Sequence, residues 1–236
     1  MAIGSDAIDE RRRQWLVRML AAGMYATSAA GTAQPLGRVP GPLPPGRSIY
    51  DLRGRVTVDG RAADEQTAIG ATSVVETGPG SSITFVVGAD AFILRARSRL
   101  VLQGDSPGIA SFLRVATGAL LSVFGRGAKR IETPTATIGI RGTGLYLEAE
   151  PDRSYVCLCY GAIDLSANGA PDSREQIASR HHDAPRYVLG AGAGRRIVPA
   201  GFINHGDLEL MLLENLVGRS TPFSLFDESY ANPRRY

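Results

Sequence analysis

Between Gly54 and Leu189 the chain rarely runs more than about a dozen residues without turn chemistry. The punctuation is Gly78-Pro79-Gly80, Gly88-Ala89-Asp90, Thr117-Gly118, Gly125-Arg126-Gly127, Pro151-Asp152 and Asn168-Gly169. Glycine supplies positive φ at such points, and Asp and Asn bond back to their own backbone. The runs between are too short for helices and rich in β-branched and aromatic residues. Among them are Ser82–Val87, Arg99–Gln103, Phe112–Ala116, Leu120–Phe124, Ser154–Cys159, Ala162–Ser166 and Arg186–Leu189. This pattern predicts an all-β domain over residues 51–193 and excludes alternating βαβ units. Stacked short strands satisfy it as a solenoid-like or as a sandwich-like arrangement, and the loose period favours neither.

One helix is expected, over 207–217, within a C-terminal extension of residues 194–236. Leu208, Met211, Leu212, Leu216 and Val217 give an apolar stripe, Asp207 falls in the first turn, Asn204 reads as the N-cap and Gly218 as the stop. Such a helix is predicted to pack its stripe on the β-domain. His205, just before it, reads as a capping or surface residue. The glycine run Gly190-Ala191-Gly192-Ala193-Gly194 reads as a hinge, because no Lys-Ser/Thr follows to make it a phosphate loop.

The ends of the chain differ from this middle. Arg11-Arg12-Arg13, a short apolar run from Trp15 and small residues up to Ala33 follow the order of a secretory signal, assigned to residues 1–33. Arg12-Arg13-Gln14-Trp15-Leu16 also resembles the twin-arginine pattern. Residues 34–50 carry five prolines before Tyr50 and are expected to be extended. No apolar run is long enough for a transmembrane helix. The expected location is therefore periplasmic or otherwise exported. Net charge is only +3 over 236 residues, with no basic cluster in the β-region, so nucleic acid is not an expected partner.

Residues 133–143, Thr-Pro-Thr-Ala-Thr-Ile-Gly-Ile-Arg-Gly-Thr, resemble the FecR family, whose periplasmic domain carries a threonine-proline, a hydrophobic stretch and a closing Arg-Gly-Thr. Gly54–Gly60, Gly70–Thr77 and Tyr160–Ile163 are similar to other strands of that family, and the likeness spans residues 54–193. It implies a non-catalytic β-module in the envelope, acting in interaction or sensing with an envelope protein or ligand. The ten residues before Arg11 are too few for a cytoplasmic anti-sigma domain, so the resemblance is to a stand-alone exported form. Thr133, Pro134, Arg141, Gly142 and Thr143 are expected to be structural. Gly142 would hold a conformation denied to other residues, and Arg141 would satisfy turn carbonyls or a neighbouring carboxylate.

One constellation has chemical character. Cys157 and Cys159 stand at i and i+2 of an expected strand, so both thiols point to one face. His181 and His182 follow a second expected strand, Arg174–Ser179, that could pair back and deliver them there. Cys157, Cys159, His181 and His182 are thus candidate ligands for a soft transition metal such as zinc or iron. A disulfide or two buried, inert cysteines fit the same residues. No Gly-x-Ser-x-Gly and no His-Glu-x-x-His occurs, and no enzymatic activity is expected. The two readings carried forward are an exported interaction or sensing module and an exported metal- or cofactor-binding protein.

Overall fold

A computed structural model describes residues 40–223 except 105 and 107, and everything below concerns the unit that starts at Gly41. Residues 1–33, read above as a secretory signal, and the tail beyond Phe223 lie outside the described residues. The strands are β1 (Ile49–Arg53), β2 (Val56–Val58), β3 (Arg61–Ala62), β4 (Val74–Thr77), β5 (Ser82–Val87), β6 (Asp90–Leu94), β7 (Arg99–Gln103) and β8 (Phe112–Val123). They continue with β9 (Ala128–Glu132), β10 (Ala136–Arg141), β11 (Gly144–Ala149), β12 (Arg153–Ala167), β13 (Ala170–Ser179), β14 (Arg186–Leu189) and β15 (Ile197–Pro199). One helix, α1 (Asp207–Leu216), follows. Among the described residues the fold is all-β with one helix, as the turn spacing predicts.

The strands form two sheets. The first runs β1-β5-β6-β8-β11-β12-β14-β15, antiparallel throughout. The second runs β3-β2-β4-β7-β8-β9-β10-β12-β13 and has one parallel pair, β8 with β9. β8 and β12 belong to both. Residues 112–117 of β8 pair in the second sheet and 118–123 in the first, while β12 pairs in the first sheet up to Tyr160 and in the second from Gly161.

These two strands correct the sequence reading, which divided each in two at its glycine. Gly118 (φ +86°) and Gly161 (φ +99°) do not reverse the chain; they bend it from one sheet into the other. A Cβ on Gly118 would sit 2.0 Å from Ser98 Oγ, and one on Gly161 would sit 2.9 Å from the Gly142 carbonyl. Positive φ and close approach together make glycine the residue that fits at each crossing. Three short strands carried too little pattern to be read: β1 beside the proline run, the two-residue β3, and β15, which ends in Pro199. Because β15 pairs with β14, the glycine run 190–194 belongs to a hairpin loop rather than a hinge; Leu189 N–H donates to the Arg196 carbonyl at 2.8 Å.

Alternation along the strands builds the core. Val75, Leu100, Leu102, Leu113, Val115, Ile131, Ile138 and Leu165 of the second sheet face Phe85, Phe92, Leu94, Leu120, Leu145, Leu147, Val156 and Leu158 of the first in one buried cluster. The opposite face of the second sheet is mostly exposed, as the alternating burial of β7 and β9 shows. The first sheet is buried on both faces. Its other side carries Ala91, Ile93, Leu121, Val123, Tyr146, Tyr155, Cys157, Cys159 and Tyr160, covered by Leu210, Leu213 and Leu216 of α1.

The helix begins and ends within a residue of the expected span, but its rotation differs. Leu208 is exposed, Met211 and Leu212 are half-buried, and the stripe runs through Leu210, Leu213 and Leu216. The leucine-rich run offers several stripes, and two polar anchors choose among them. Asp207 binds the histidines described below, and buried Glu214 receives the Tyr160 hydroxyl and the Arg219 guanidinium, the latter at 2.6 Å. The N-cap is Gly206, not Asn204; Glu209 reaches back to the Gly206 N–H at 3.3 Å. Asn204 instead takes φ +56°, and its side chain donates to Glu148 Oε1 at 2.7 Å.

Candidate metal centre

The i, i+2 placement of the cysteines on β12 puts both thiols on the outer face of the first sheet, under the segment that leads into α1. Both are free and fully buried. β13 pairs with the second-sheet half of β12 and ends at Ser179, opposite Gly161. From there a tight turn brings His182 back beside the cysteines, its N–H donating to the Cys159 carbonyl at 2.9 Å. Asp183 holds this turn: its Oδ2 accepts from the N–H groups of Arg180 (2.8 Å) and His181 (3.3 Å) and from the Ser179 hydroxyl (3.2 Å). Its carboxyl lies below the usual range, because these bonds outweigh a burial effect that works the other way. The turn forces His182 to φ +56°, a left-handed conformation that costs a non-glycine residue about 1–2 kcal/mol. Such strain persists only where surrounding contacts over-determine it.

Here they do. His182 Nε2 lies 2.9 Å from Asp207 Oδ1, and its Nδ1 lies 3.5 Å from Cys157 Sγ and 3.0 Å from His205 Nε2. His205 Nδ1 in turn lies 2.6 Å from the Ile203 carbonyl oxygen. His205 is therefore neither a cap nor a surface residue; it is buried, with its ring stacked on Tyr146 at 4.4 Å. Phe202 packs edge-on to His182 at 4.8 Å, and Arg95 lies over Tyr146 at 5.5 Å. His181 stands outside this group: its Nε2 reaches Asp207 Oδ1 at 3.0 Å and its ring lies against Phe223 at 4.6 Å.

Hydrogen-bond chemistry fixes which ring nitrogens carry protons. The Ile203 carbonyl can only accept, so His205 donates from Nδ1; the Asp207 carboxylate accepts, so His182 donates from Nε2. In the neutral rings this leaves His182 Nδ1 and His205 Nε2 as bare lone pairs facing each other and the two sulfurs. Cys157 Sγ, Cys159 Sγ, His182 Nδ1 and His205 Nε2 all lie within 4.8 Å of one another. A tetrahedron built on zinc–sulfur and zinc–nitrogen bonds of about 2.3 and 2.0–2.1 Å has edges of roughly 3.3–3.8 Å, so small side-chain adjustments suffice to fit the ion. The outward bond from each imidazole to a carboxylate or carbonyl is the arrangement that orients metal-bound histidines.

The thiols are unequal. Cys157 is pushed down, first by the hydrogen bond from Cys159 and, against a burial effect that works the other way, by the two imidazoles. Cys159 is pushed up by burial and by its neighbour. For His182, burial opposes the charged form, but Asp207 and Cys157 outweigh it and raise the pKa. One thiolate beside imidazoles is the state from which a soft cation displaces remaining protons.

Of the residues read as candidate ligands, Cys157, Cys159 and His182 come together, His181 stands one shell outside, and His205 takes the fourth place. Every cysteine and every histidine of the 236-residue chain is thus gathered at one point. That economy was the available signal for His205.

The residues read as structural occupy a different region, with mixed outcomes. Thr133 and Thr135 Oγ1 each lie 2.7 Å from the Ser154 hydroxyl, and Thr135 Oγ1 also reaches the Val188 carbonyl at 2.8 Å, tying β10 to the first sheet. Pro134 is exposed at that turn. Gly142 has φ +63°, and Thr143 is fully buried. Arg141 is exposed and binds neither a carbonyl nor a carboxylate among the described residues, so the satisfying role expected for it is not present.

The sequence matches no family model and, at a significant level, no curated protein. Two crystal structures of a candidate anti-sigma factor from Parabacteroides distasonis ATCC 8503, at 1.65 and 2.50 Å resolution, are similar in part. Each has 12% sequence identity and a TM-score of 0.44, over 54% of this chain and 59% of that one. The chain therefore spans less than two thirds of that protein's length.

Proposed function

We propose that this chain is an exported, non-catalytic FecR-like β-module whose distinguishing property is a buried zinc-type site made by Cys157, Cys159, His182 and His205. The observation that carries the metal reading is the convergence of four donor atoms in which both imidazoles are tied outward to acceptors, at Asp207 and Ile203. Two sulfurs and two nitrogens suit zinc better than the harder cations, and four protein ligands leave no coordination position for substrate. Such a closed site holds structure or reports metal occupancy; it does not activate water.

The FecR-like part of the reading is supported by the Thr133–Thr143 motif and the all-β architecture. Export is supported by the Arg11–Arg13 cluster and the apolar and small residues after it. In an oxidising compartment, ligation would also protect two adjacent thiols from pairing. The partner in this reading is an envelope protein or ligand.

Elemental analysis of purified protein tests the site. One zinc per chain is expected, falling to background in the Cys157→Ser/Cys159→Ser double variant. A folded parent that takes up no zinc when offered it under reducing conditions refutes the proposal.

A further inference from the structure

The site joins three separate parts of the chain. Cys157 and Cys159 come from the centre of the first sheet and His182 from the turn after β13. His205 lies on the segment that carries α1, and Asp207, which orients His182 and contacts His181, is the first residue of that helix. The N-cap of that helix is a glycine without a side chain. The other ties near it are Arg95, which reaches the Asn204 carbonyl at 2.8 Å and Glu209 at 2.9 Å, Asn204 with Glu148 at 2.7 Å and Tyr155 with the Gly201 carbonyl at 2.9 Å.

From this geometry, and resting on the metal reading above, we infer that zinc acts as a latch. Its occupancy at Cys157, Cys159, His182 and His205 controls whether the segment 201–217 stays docked on the outer face of the first sheet.

The physical reason lies in the two facing ring nitrogens. His182 Nδ1 and His205 Nε2 are 3.0 Å apart, and each ring spends its proton on an outward acceptor. Without a metal they need one shared proton, and a single N–H···N hydrogen bond then joins His205 to His182. With zinc, they become two of its four bonds and draw His205 against the sheet. Without it, His205 is the ligand freest to move, because Cys157 and Cys159 sit mid-strand and His182 is fixed by the Asp183 turn and its bond to the Cys159 carbonyl. Besides its hydrogen bond with His182, His205 is held by the Ile203 carbonyl and by stacking on Tyr146, and Asn204 beside it by Glu148 and Arg95; zinc would add a direct tie to the two cysteines. Movement there carries the start of α1 away and uncovers Tyr146 and Tyr155, both now almost wholly buried.

Hydrogen–deuterium exchange on the full chain, zinc-loaded and zinc-stripped under reducing conditions, tests the latch, with zinc content measured on the same samples. Stripping is expected to speed exchange in peptides covering 201–217 at least tenfold and to leave β5 and β7 unchanged. Equal exchange in 201–217 despite verified loss of zinc overturns the latch while leaving the metal site intact; failure to bind zinc at all overturns the metal reading instead. His205→Ala should show fast exchange in 201–217 whether or not zinc is present. His205→Cys, which restores a ligand, should regain the zinc-dependent slowing; a His205→Cys protein that binds one zinc yet exchanges like the alanine variant also overturns the latch.

Discussion

The two faces of the first sheet are made by the same strands, yet they are different chemistries. On β12, Val156 and Leu158 point into the aliphatic core between the sheets, whereas Tyr155, Cys157 and Cys159 point outward beneath α1. On β11, Leu145 and Leu147 go inward and Tyr146 outward. The inner face is held mainly by apolar burial, which is non-directional and tolerates exchange of similar volumes, with the Thr133, Thr135 and Ser154 hydroxyls bonded at its margin. The outer face has aromatic rings with hydroxyl ends, thiols and imidazoles, so its groups need particular partners at particular distances. Tyr155 donates to the Gly201 carbonyl at 2.9 Å and Tyr146 to Glu148 at 2.6 Å. One face specifies that the sheet folds, and the other specifies what is laid on top of it.

Four measurements would break or sharpen that contrast. Leu158→Ala empties part of the inner face and should lower unfolding stability by about 2–5 kcal/mol, by the same amount with and without zinc in urea titrations. A zinc-dependent loss would show that the faces are not separate. Removing zinc from the parent acts only on the outer face. At free zinc a hundredfold above the dissociation constant, the stabilisation lost should be about 2.7 kcal/mol, and the melting temperature should follow zinc concentration. The Cys157→Ser/Cys159→Ser variant should show no such dependence. Asp207→Asn removes the carboxylate that orients His182 and should weaken zinc about 10–100-fold in chelator competition, with no change in a Leu158→Ala background. Arg95→Ala removes a half-buried ion pair at the rim of that face and should cost at most about 1 kcal/mol, less at high salt.

How much of this could be read in advance differs between the same two faces. The inner face is legible, because alternation in runs such as Ser82–Val87 and Arg99–Gln103 is a local property and those strands end where the turn residues say. The thiol pair is legible for the same reason. His205 was not, because nothing local separates a ligand histidine from a cap before a helix. Its role depends on where β12 and the Asp183 turn bring other residues. The rotation of α1 was hidden too: five leucines between 208 and 216 allow several stripes, and the choice rests on distant partners of Asp207 and Glu214. Gly118 and Gly161 misled in the opposite direction, since a glycine after an aromatic or β-branched run signals a bend as readily as a reversal.

That β8 and β12 each run through both sheets bears on how the domain comes apart. Neither sheet can be peeled away as a layer, because two of its strands continue into the other across Gly118 and Gly161. A tear that starts at an edge, at β3 or β15, can travel inward only until it meets one of these shared strands. There the hydrogen bonds of both sheets must fail together. The interior should therefore melt as one cooperative unit, while the edge strands and the covering helix fluctuate on their own. A latch placed on the outer side of β12 can consequently open and close without loosening the body to which it is fastened.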